Sequence, residues 1–256
     1  FDLDGARAWG TYLGGDGTDT AVGAAAVAGG VAFAGSTDSS DVATADAHQA
    51  VLGGQRDALV VRLDDAGERT WATYYGGTGD DDAAALAAGP AGSVLLTGTT
   101  TSAQGIAAPL ALRSEPLGGR DVFVAKLGPA GERRWGTYFG GSLDDIAGPG
   151  GVAGTDGGRV HVAGQTSSPT GVATADALFQ PAIAGGSDLF LATLVHAQGD
   201  ACTDDATCDS GFCVDGLCCD GACGGGDPDD CQACSVAAGG AQDGVCSPRA
   251  EATPCT

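Results

Sequence analysis

Three aspartates recur at one position of the sequence and are its best candidates for binding a metal ion. Asp19, Asp81 and Asp145 each follow a Trp by ten residues. Further carboxylates stand beside them, at Asp16, Asp80, Asp82 and Asp144. Calcium takes six to eight oxygen ligands from carboxylates and carbonyls, so a calcium site at each repeated Asp is one interpretation. The other is a turn carboxylate that accepts backbone N–H groups, and a repeated position favours it because such a position serves the repeat.

Residues for nucleophilic or acid–base catalysis are sparse. No G-x-S-x-G motif occurs, so the nucleophile elbow of many hydrolases is missing. The three histidines, His48, His161 and His196, do not recur with the repeat. His161 aligns with Ala32 and Leu95, which gives no ring of equivalent bases. We therefore predict no catalytic residues and no cofactor other than calcium at the three aspartates.

The charge balance excludes two classes of partner. Acidic residues number 33 against 11 basic ones, so the net charge is −22. Such a surface repels the phosphates of nucleic acids and the headgroups of anionic membranes. No window approaches the roughly 18 apolar residues of a membrane span, so no transmembrane segment is predicted.

A repeat organises the first 198 residues. WGTYLGG from Trp9, WATYYGG from Trp71 and WGTYFGG from Trp135 are spaced by 62 and 64 residues. Each unit contains a small-residue strand, a short apolar run that ends in Gly, a long loop, a third strand and the Trp segment. The third strand follows a Gly-Gly pair and, after one or two intervening residues, an Asp. Four strands in a radial repeat are typical of a propeller blade, and small side chains suit its innermost strand. The prediction is an all-β, partial β-propeller of about three blades over residues 1–198.

The repeat is incomplete at both ends. Residues 6–14 correspond to a fourth strand with no third strand before it, and the last unit stops after Leu194. Propellers have about 4–8 blades, so three units predict an open arc that lacks further blades of a longer protein. We expect residues 6–14 to pack as an outer strand or beside the first blade.

The cysteines define a second domain over residues 199–256. All ten lie between Cys202 and Cys255, a density typical of small disulfide scaffolds in oxidising compartments. Zinc is the competing interpretation, since Cys231 and Cys234 have ligand spacing, but a second such pair is missing. The predicted disulfide cysteines are Cys202, Cys208, Cys213, Cys218, Cys219, Cys223, Cys231, Cys234, Cys246 and Cys255.

The repeat motifs resemble the bacterial SBBP repeat, a family named for a seven-bladed β-propeller. The shared pattern is W-x-T-Y-x-G-G, an Asp with a small-residue strand, V-x-x-x-G-x-T, and G-G-x-D-x-F-V-x-x-L. The tail, with CDSGFCVDGLCCDGAC and CQACS, resembles Cys-rich modules of myxobacterial surface proteins. These resemblances imply a secreted or cell-surface protein and no established reaction.

Function is predicted from loops on a rigid scaffold. The long loops 38–52, 101–117 and 167–184 differ between units, which is typical of binding surfaces. We predict a non-catalytic scaffold or adhesion module that binds protein or glycan. The alternatives are a glycan-acting hydrolase with its site on the propeller axis and a calcium-stabilised binding propeller. The three tryptophans could stack against sugars, but their place in equivalent strands favours packing between blades.

Overall fold

A computed structural model describes residues 9–89, 92–108, 111–155, 159–177 and 179–195, together with four two-residue tail strands. The described residues are all-β, and they confirm the predicted partial propeller. The strands up to residue 195 are β1 (Asp19–Val27), β2 (Gly30–Thr37), β3 (Asp57–Leu63), β4 (Arg69–Tyr75), β5 (Asp81–Ala88), β6 (Val94–Thr100), β7 (Asp121–Leu127), β8 (Arg133–Phe139), β9 (Asp145–Gly154), β10 (Arg159–Thr166) and β11 (Asp188–Val195).

These strands form three sheets, which we call blades 1, 2 and 3. Blade 1 has the order β1-β2-β3-β4 and blade 2 the order β5-β6-β7-β8, with antiparallel neighbours throughout. Blade 3 contains β9, β10 and β11, with β11 at its edge. The first strands β1, β5 and β9 lie next to one another, as expected for the innermost strands of blades. Their Ala- and Gly-rich sequences allow this close approach.

A glycine turn joins the third and fourth strands of each complete blade. Gly67 and Gly131 have φ angles of +84° and +85°, a conformation that side-chain-bearing residues rarely adopt. The backbone N–H of Asp64 donates to Glu68 O, and Gly128 donates to Glu132 O in the same way. The chain therefore makes a hairpin turn before Trp71.

The main core lies between blades 1 and 2. Val60 of β3 and Tyr75 of β4 pack with Phe123 of β7 in one buried cluster. The Tyr75 and Phe123 rings stack with centroids 5.4 Å apart. A second cluster covers the other face of blade 1, where Leu59 and Tyr74 pack with Val42 from the long loop.

Residues 9–14 differ from the sequence prediction because they form no strand. Blade 1 already has β4 as its fourth strand, so this segment finds no partner for a hydrogen-bonded ladder among the described residues. It does lie beside the first blade, as expected. A Cβ added to Gly67 would stand 2.9 Å from the indole of Trp9, so this ring covers the turn of blade 1.

The chain divides into two compact units, residues 1–154 with 161–193 and residues 155–160 with 194–256. In the tail, Cys213–Val214 pairs with Leu217–Cys218, and Gln232–Ala233 pairs with Ser247–Pro248. Cys213 stands opposite Cys218 in the backbone register. The boundary at residue 198, His196 and the side chains of all ten cysteines lie outside the described residues. Within the described ranges, no helix is long and apolar enough to cross a membrane.

Candidate functional site

The predicted metal residues, which we call the first-strand aspartates, begin the innermost strands. Asp19, Asp81 and Asp145 open β1, β5 and β9. Each accepts a hydrogen bond from the backbone N–H four residues earlier. The donors are Gly15 at 3.0 Å, Gly77 at 2.7 Å and Gly141 at 2.6 Å. The structure thus gives all three the hydrogen bonding expected of turn carboxylates.

Hydroxyl groups complete the environment of Asp81. Thr100 Oγ1 donates to Asp81 Oδ1, and Ser102 Oγ donates to Asp81 Oδ2 at 2.7 Å. The hydroxyls of Thr37 and Ser39 bind Asp19 in the same way, and Ser168 binds Asp145 at 2.8 Å. The carboxylate therefore joins three backbone segments: its own turn, the end of the second strand, and the loop that follows. The sequence carries this signal as a T-x-S motif whose Thr is the last residue of each second strand, and the sequence analysis missed it.

A second set of carboxylates was not among the site residues predicted from the sequence. These third-strand aspartates are Asp57, Asp121 and Asp188, which open β3, β7 and β11. Backbone N–H groups of the preceding loop bind them, from Gly53 at 2.8 Å, Leu117 at 2.6 Å and Ala184 at 2.7 Å. A Gly-Gly pair, separated from each of them by one or two residues, was visible in the sequence as a marker of the third strand.

The two sets of aspartates approach each other beside a glycine. A Cβ on Gly76 would lie 2.7 Å from an oxygen of both Asp57 and Asp81. Gly140 stands in the same way between Asp121 and Asp145. Burial raises the pKa of Asp57, and the nearby charge of Asp81 raises it further. Burial raises the pKa of Asp121 as well, and the charge of Asp145 acts in the same direction.

The buried carboxylates differ in how fully they are hydrogen-bonded. Asp121 is 1 % exposed, and both of its backbone donors, Leu117 and Gly118, bind Oδ2. Its Oδ1 has no hydrogen-bond partner, and neither has Oδ1 of Asp145. Arg113 lies near this pair, where its guanidinium donates to Gly140 O and its charge lowers the pKa of Asp121.

Asp121→Asn is expected to stabilise the protein at pH 7 by about 1 kcal/mol, the value of one hydrogen bond. The amide oxygen can keep both backbone donors, and the neutral group no longer repels Asp145. In the wild type the folded-state pKa of Asp121 is raised, so the folded protein holds more protons and its stability rises as pH falls toward the ordinary value of 3.8. The advantage of Asn should therefore shrink on acidification, as measured by urea unfolding at pH 7 and pH 5.

Asp81→Asn is the matched control for this variant. Both oxygens of Asp81 accept hydrogen bonds, so the NH₂ group of Asn would face a donor. We expect Asp81→Asn to destabilise the protein at pH 7. Equal effects of the two substitutions would contradict the difference in hydrogen bonding.

Calcium binding by the first-strand aspartates stays a prediction. Among the described residues, no group of three or more His, Cys, Asp or Glu side chains is arranged to hold a metal ion. Because donors already occupy Asp19 and Asp81, we expect a chelator to move the melting temperature by less than about 2 °C, equivalent to a fraction of a kcal/mol. A large drop on adding chelator, abolished by Asp81→Ala, would instead support a calcium site.

A groove of about 560 Å³ lies along the innermost strands. Val22, Ala83 and Ile146 from three blades line it, with Asp82 and Arg120 among its charged groups. Arg56 Nε is 2.6 Å from Asp82 Oδ1, and Arg120 Nη2 is 3.0 Å from Asp144 Oδ2. Asp82 and Asp144 are thus each engaged in an ion pair.

The structure places the remaining candidates apart from this groove. His48 packs beside Tyr75, where burial and the charge of Arg133 lower its pKa to about 4. His161 Nδ1 is 2.9 Å from Thr193 Oγ1 on the neighbouring strand. Trp71 is only 6 % exposed and donates through Nε1 to Pro129 O, so it packs against the turn of the next blade.

No protein-family model matches this chain, and a search of curated proteins finds no match either.

Proposed function

We propose that this chain is a non-catalytic binding or scaffold module of a secreted or cell-surface protein. The observation that carries the proposal is the attachment of its long loops to the outer strands of the blades. In blade 1, Thr44 N donates to Ala72 O at 2.9 Å, and Tyr74 N donates to Gln49 O at 3.1 Å. The loop is therefore held against β4 as a fixed surface.

Blade 2 repeats this attachment with a different loop sequence. Ala108 N donates to Gly136 O at 2.9 Å, and Tyr138 N donates to Arg113 O at 3.2 Å. A loop that is held in place loses little conformational entropy when it binds a partner. Variable sequence on a fixed support is the arrangement from which binding surfaces are commonly built.

The supported loops expose apolar side chains. Val51 is 74 % exposed, Leu112 is 71 % exposed and Leu117 is 57 % exposed. Apolar groups on a polar surface favour contact with a protein or with the apolar face of a sugar. The resemblance to SBBP repeats supports an extracellular propeller, with the Cys-rich tail as a disulfide-stapled appendage.

A binding array tests the proposal. The full chain, prepared under oxidising conditions, is applied to immobilised glycans and extracellular proteins beside the triple variant Val51→Ser, Leu112→Ser, Leu117→Ser. We expect the triple variant to weaken binding at least tenfold. Leu143→Ser is the matched control, because Leu143 is 52 % exposed but lies outside these loops.

Two outcomes would count against the proposal. If the triple variant binds as well as the control, the loops are not the binding surface. Release of sugar from an arrayed glycan would favour the glycan-acting hydrolase, and the ion-paired Asp82 would then be the first residue to replace.

A further inference from the structure

The groove along the innermost strands has the size and the lining of a binding site. Its volume of about 560 Å³ falls within the roughly 300–1,000 Å³ that is usual for ligand sites in proteins. The first strands of blades 1, 2 and 3 supply its apolar surface, which consists of Val22, Ala83, Ala84, Ile146, Ala147 and Pro149. None of these residues belongs to the long loops of the proposed binding surface.

Hydrogen bonds between blades hold the walls of the groove in place. Ala83 N of β5 donates to Ser36 Oγ of β2 at 3.0 Å. Ala147 N of β9 donates to Thr99 Oγ1 of β6 at 3.1 Å. The groove is therefore formed before a ligand arrives, and this preorganisation lowers the entropy cost of binding.

Two ion pairs engage most of the charged groups around the groove. Arg56 Nε binds Asp82 Oδ1, and Arg56 Nη2 also donates to Thr20 Oγ1 at 2.9 Å. Arg120 Nη2 binds Asp144 Oδ2. Both carboxylates therefore have a cationic partner from the chain itself.

Asp80 is the carboxylate of the groove that remains available. Its backbone N–H donates to Thr101 Oγ1 at 2.7 Å, and Thr101 N donates to Asp80 O at 2.9 Å, so the main chain is fixed at this point. Among the described residues, no ion pair or hydrogen bond engages its side chain. Asp80 lines the groove and is exposed, so its carboxylate can receive a cation from outside.

The lining favours a cation that has an aliphatic stem. Asp80 and Asp82 stand against Arg120 among the charged residues of the groove, so the local balance is negative, as it is for the whole chain at −22. Such a field attracts positively charged partners. Lysine and arginine side chains pack their methylene stems on apolar surface and keep the charged end near water. The apolar walls and the free carboxylate match these two parts.

The open shape of the groove favours a segment of a larger molecule. Val22 on its wall remains 38 % exposed, so an occupant is covered on one side only. An extended polypeptide fits this shape, because alternate side chains point toward the groove and toward solvent.

We propose that the groove binds a lysine or arginine side chain presented by an extended segment of a protein partner. The charged end of that side chain lies at Asp80, and its aliphatic stem lies across Ala84 and Ile146. The walls come mainly from the first strands, so binding here does not depend on the exposed apolar side chains of the long loops.

Fluorescence anisotropy with two labelled octapeptides tests the proposal on the full chain, prepared under oxidising conditions. One peptide alternates lysine with alanine, and the other carries glutamate in place of lysine. The salt concentration is about 0.15 M, where attraction between distant charges is largely screened. We expect the lysine peptide to bind and the glutamate peptide not to bind.

Asp80→Asn should weaken binding of the lysine peptide by about tenfold or more, because it removes a charged hydrogen-bond acceptor. Asp65→Asn is the matched control. It removes the same charge from an exposed position in the turn between β3 and β4, outside the groove, and should change the affinity by less than about twofold.

A third peptide tests the contact with the aliphatic stem. It carries 2,4-diaminobutyrate in place of lysine, which keeps the charge but has two fewer methylene groups, and it should bind about threefold or more weakly. Nuclear magnetic resonance of the ¹⁵N-labelled full chain locates the site. The amide signals of Ala84 and Ile146 should shift when the lysine peptide is added, and those of residues 64–66 should not.

Five results would each overturn the proposal. The lysine peptide fails to bind, or the glutamate peptide binds more tightly. Asp80→Asn and Asp65→Asn weaken binding equally, which would assign the attraction to net charge alone. The short-stemmed peptide binds as well as the lysine peptide, or the shifted amide signals are confined to the long loops or the Cys-rich tail.

Discussion

Asp81→Ala is expected to lower the free energy of unfolding by about 3 kcal/mol. Asp81 is fully buried, and its carboxylate accepts hydrogen bonds from Gly77 N–H and from the hydroxyls of Thr100 and Ser102. Alanine leaves these donors without their acceptor, and each unsatisfied buried group costs about 1–3 kcal/mol. Solvent and rearranged neighbours recover part of the loss, so the total falls below the sum of the separate costs.

Urea unfolding of Asp81→Ala beside Asp80→Ala measures this effect. The control removes an adjacent carboxylate whose side chain is exposed, so its stability should change by less than about 0.5 kcal/mol. A double-mutant cycle with Ser102→Ala should show coupling, since the two side chains are 2.7 Å apart. Similar small losses for both aspartates would show that Asp81 does not join the three backbone segments as the structure indicates.

Trp71→Ala is expected to cost about 3–5 kcal/mol, the usual range for removing a buried large aromatic side chain. Trp71 is 6 % exposed, and its ring covers Gly131 of the next blade. Its Nε1 donates to Pro129 O at 2.9 Å, so the substitution also removes this hydrogen bond, although Arg62 Nη1 still donates to the same carbonyl.

Trp9→Ala provides the comparison, because Trp9 occupies the equivalent position but is 39 % exposed. This substitution should lower the free energy of unfolding by less than half as much as Trp71→Ala. Thermal and urea unfolding measure both losses, and the glycan array measures binding by the same variants. If Trp71→Ala leaves the free energy of unfolding unchanged but abolishes glycan binding, the result would support the hypothesis that Trp71 stacks against sugars.

The repeat unit and its strands could be predicted from the sequence. The third strands ALVVRL and VFVAKL are apolar on both faces because both faces are buried, and this pattern is local in the chain. The small-residue first strand predicted for each unit is observed in blade 2 as β5, Asp81–Ala88.

The sequence predicted the positions of the first-strand aspartates but not the groups that surround them. The period picked out Asp19, Asp81 and Asp145, since a repeated position is visible without coordinates. Their hydroxyl donors stand about 20 residues away in the chain, as in the pair of Asp81 and Ser102. Such a separation becomes a contact only when the first and second strands pair.

By itself, the amino-acid sequence determined the all-β class, the blade unit and the recurring carboxylates, because these follow from local strand patterns and a fixed period. Only the tertiary structure decided that residues 9–14 form no strand and that Leu189 and Leu191 stay exposed. The physical reason is that a strand exists through hydrogen bonds to a neighbour, and a side chain is buried by what packs on it. Neither property belongs to the segment alone: WGTYLGG and WATYYGG read alike, but only the second has a partner strand among the described residues.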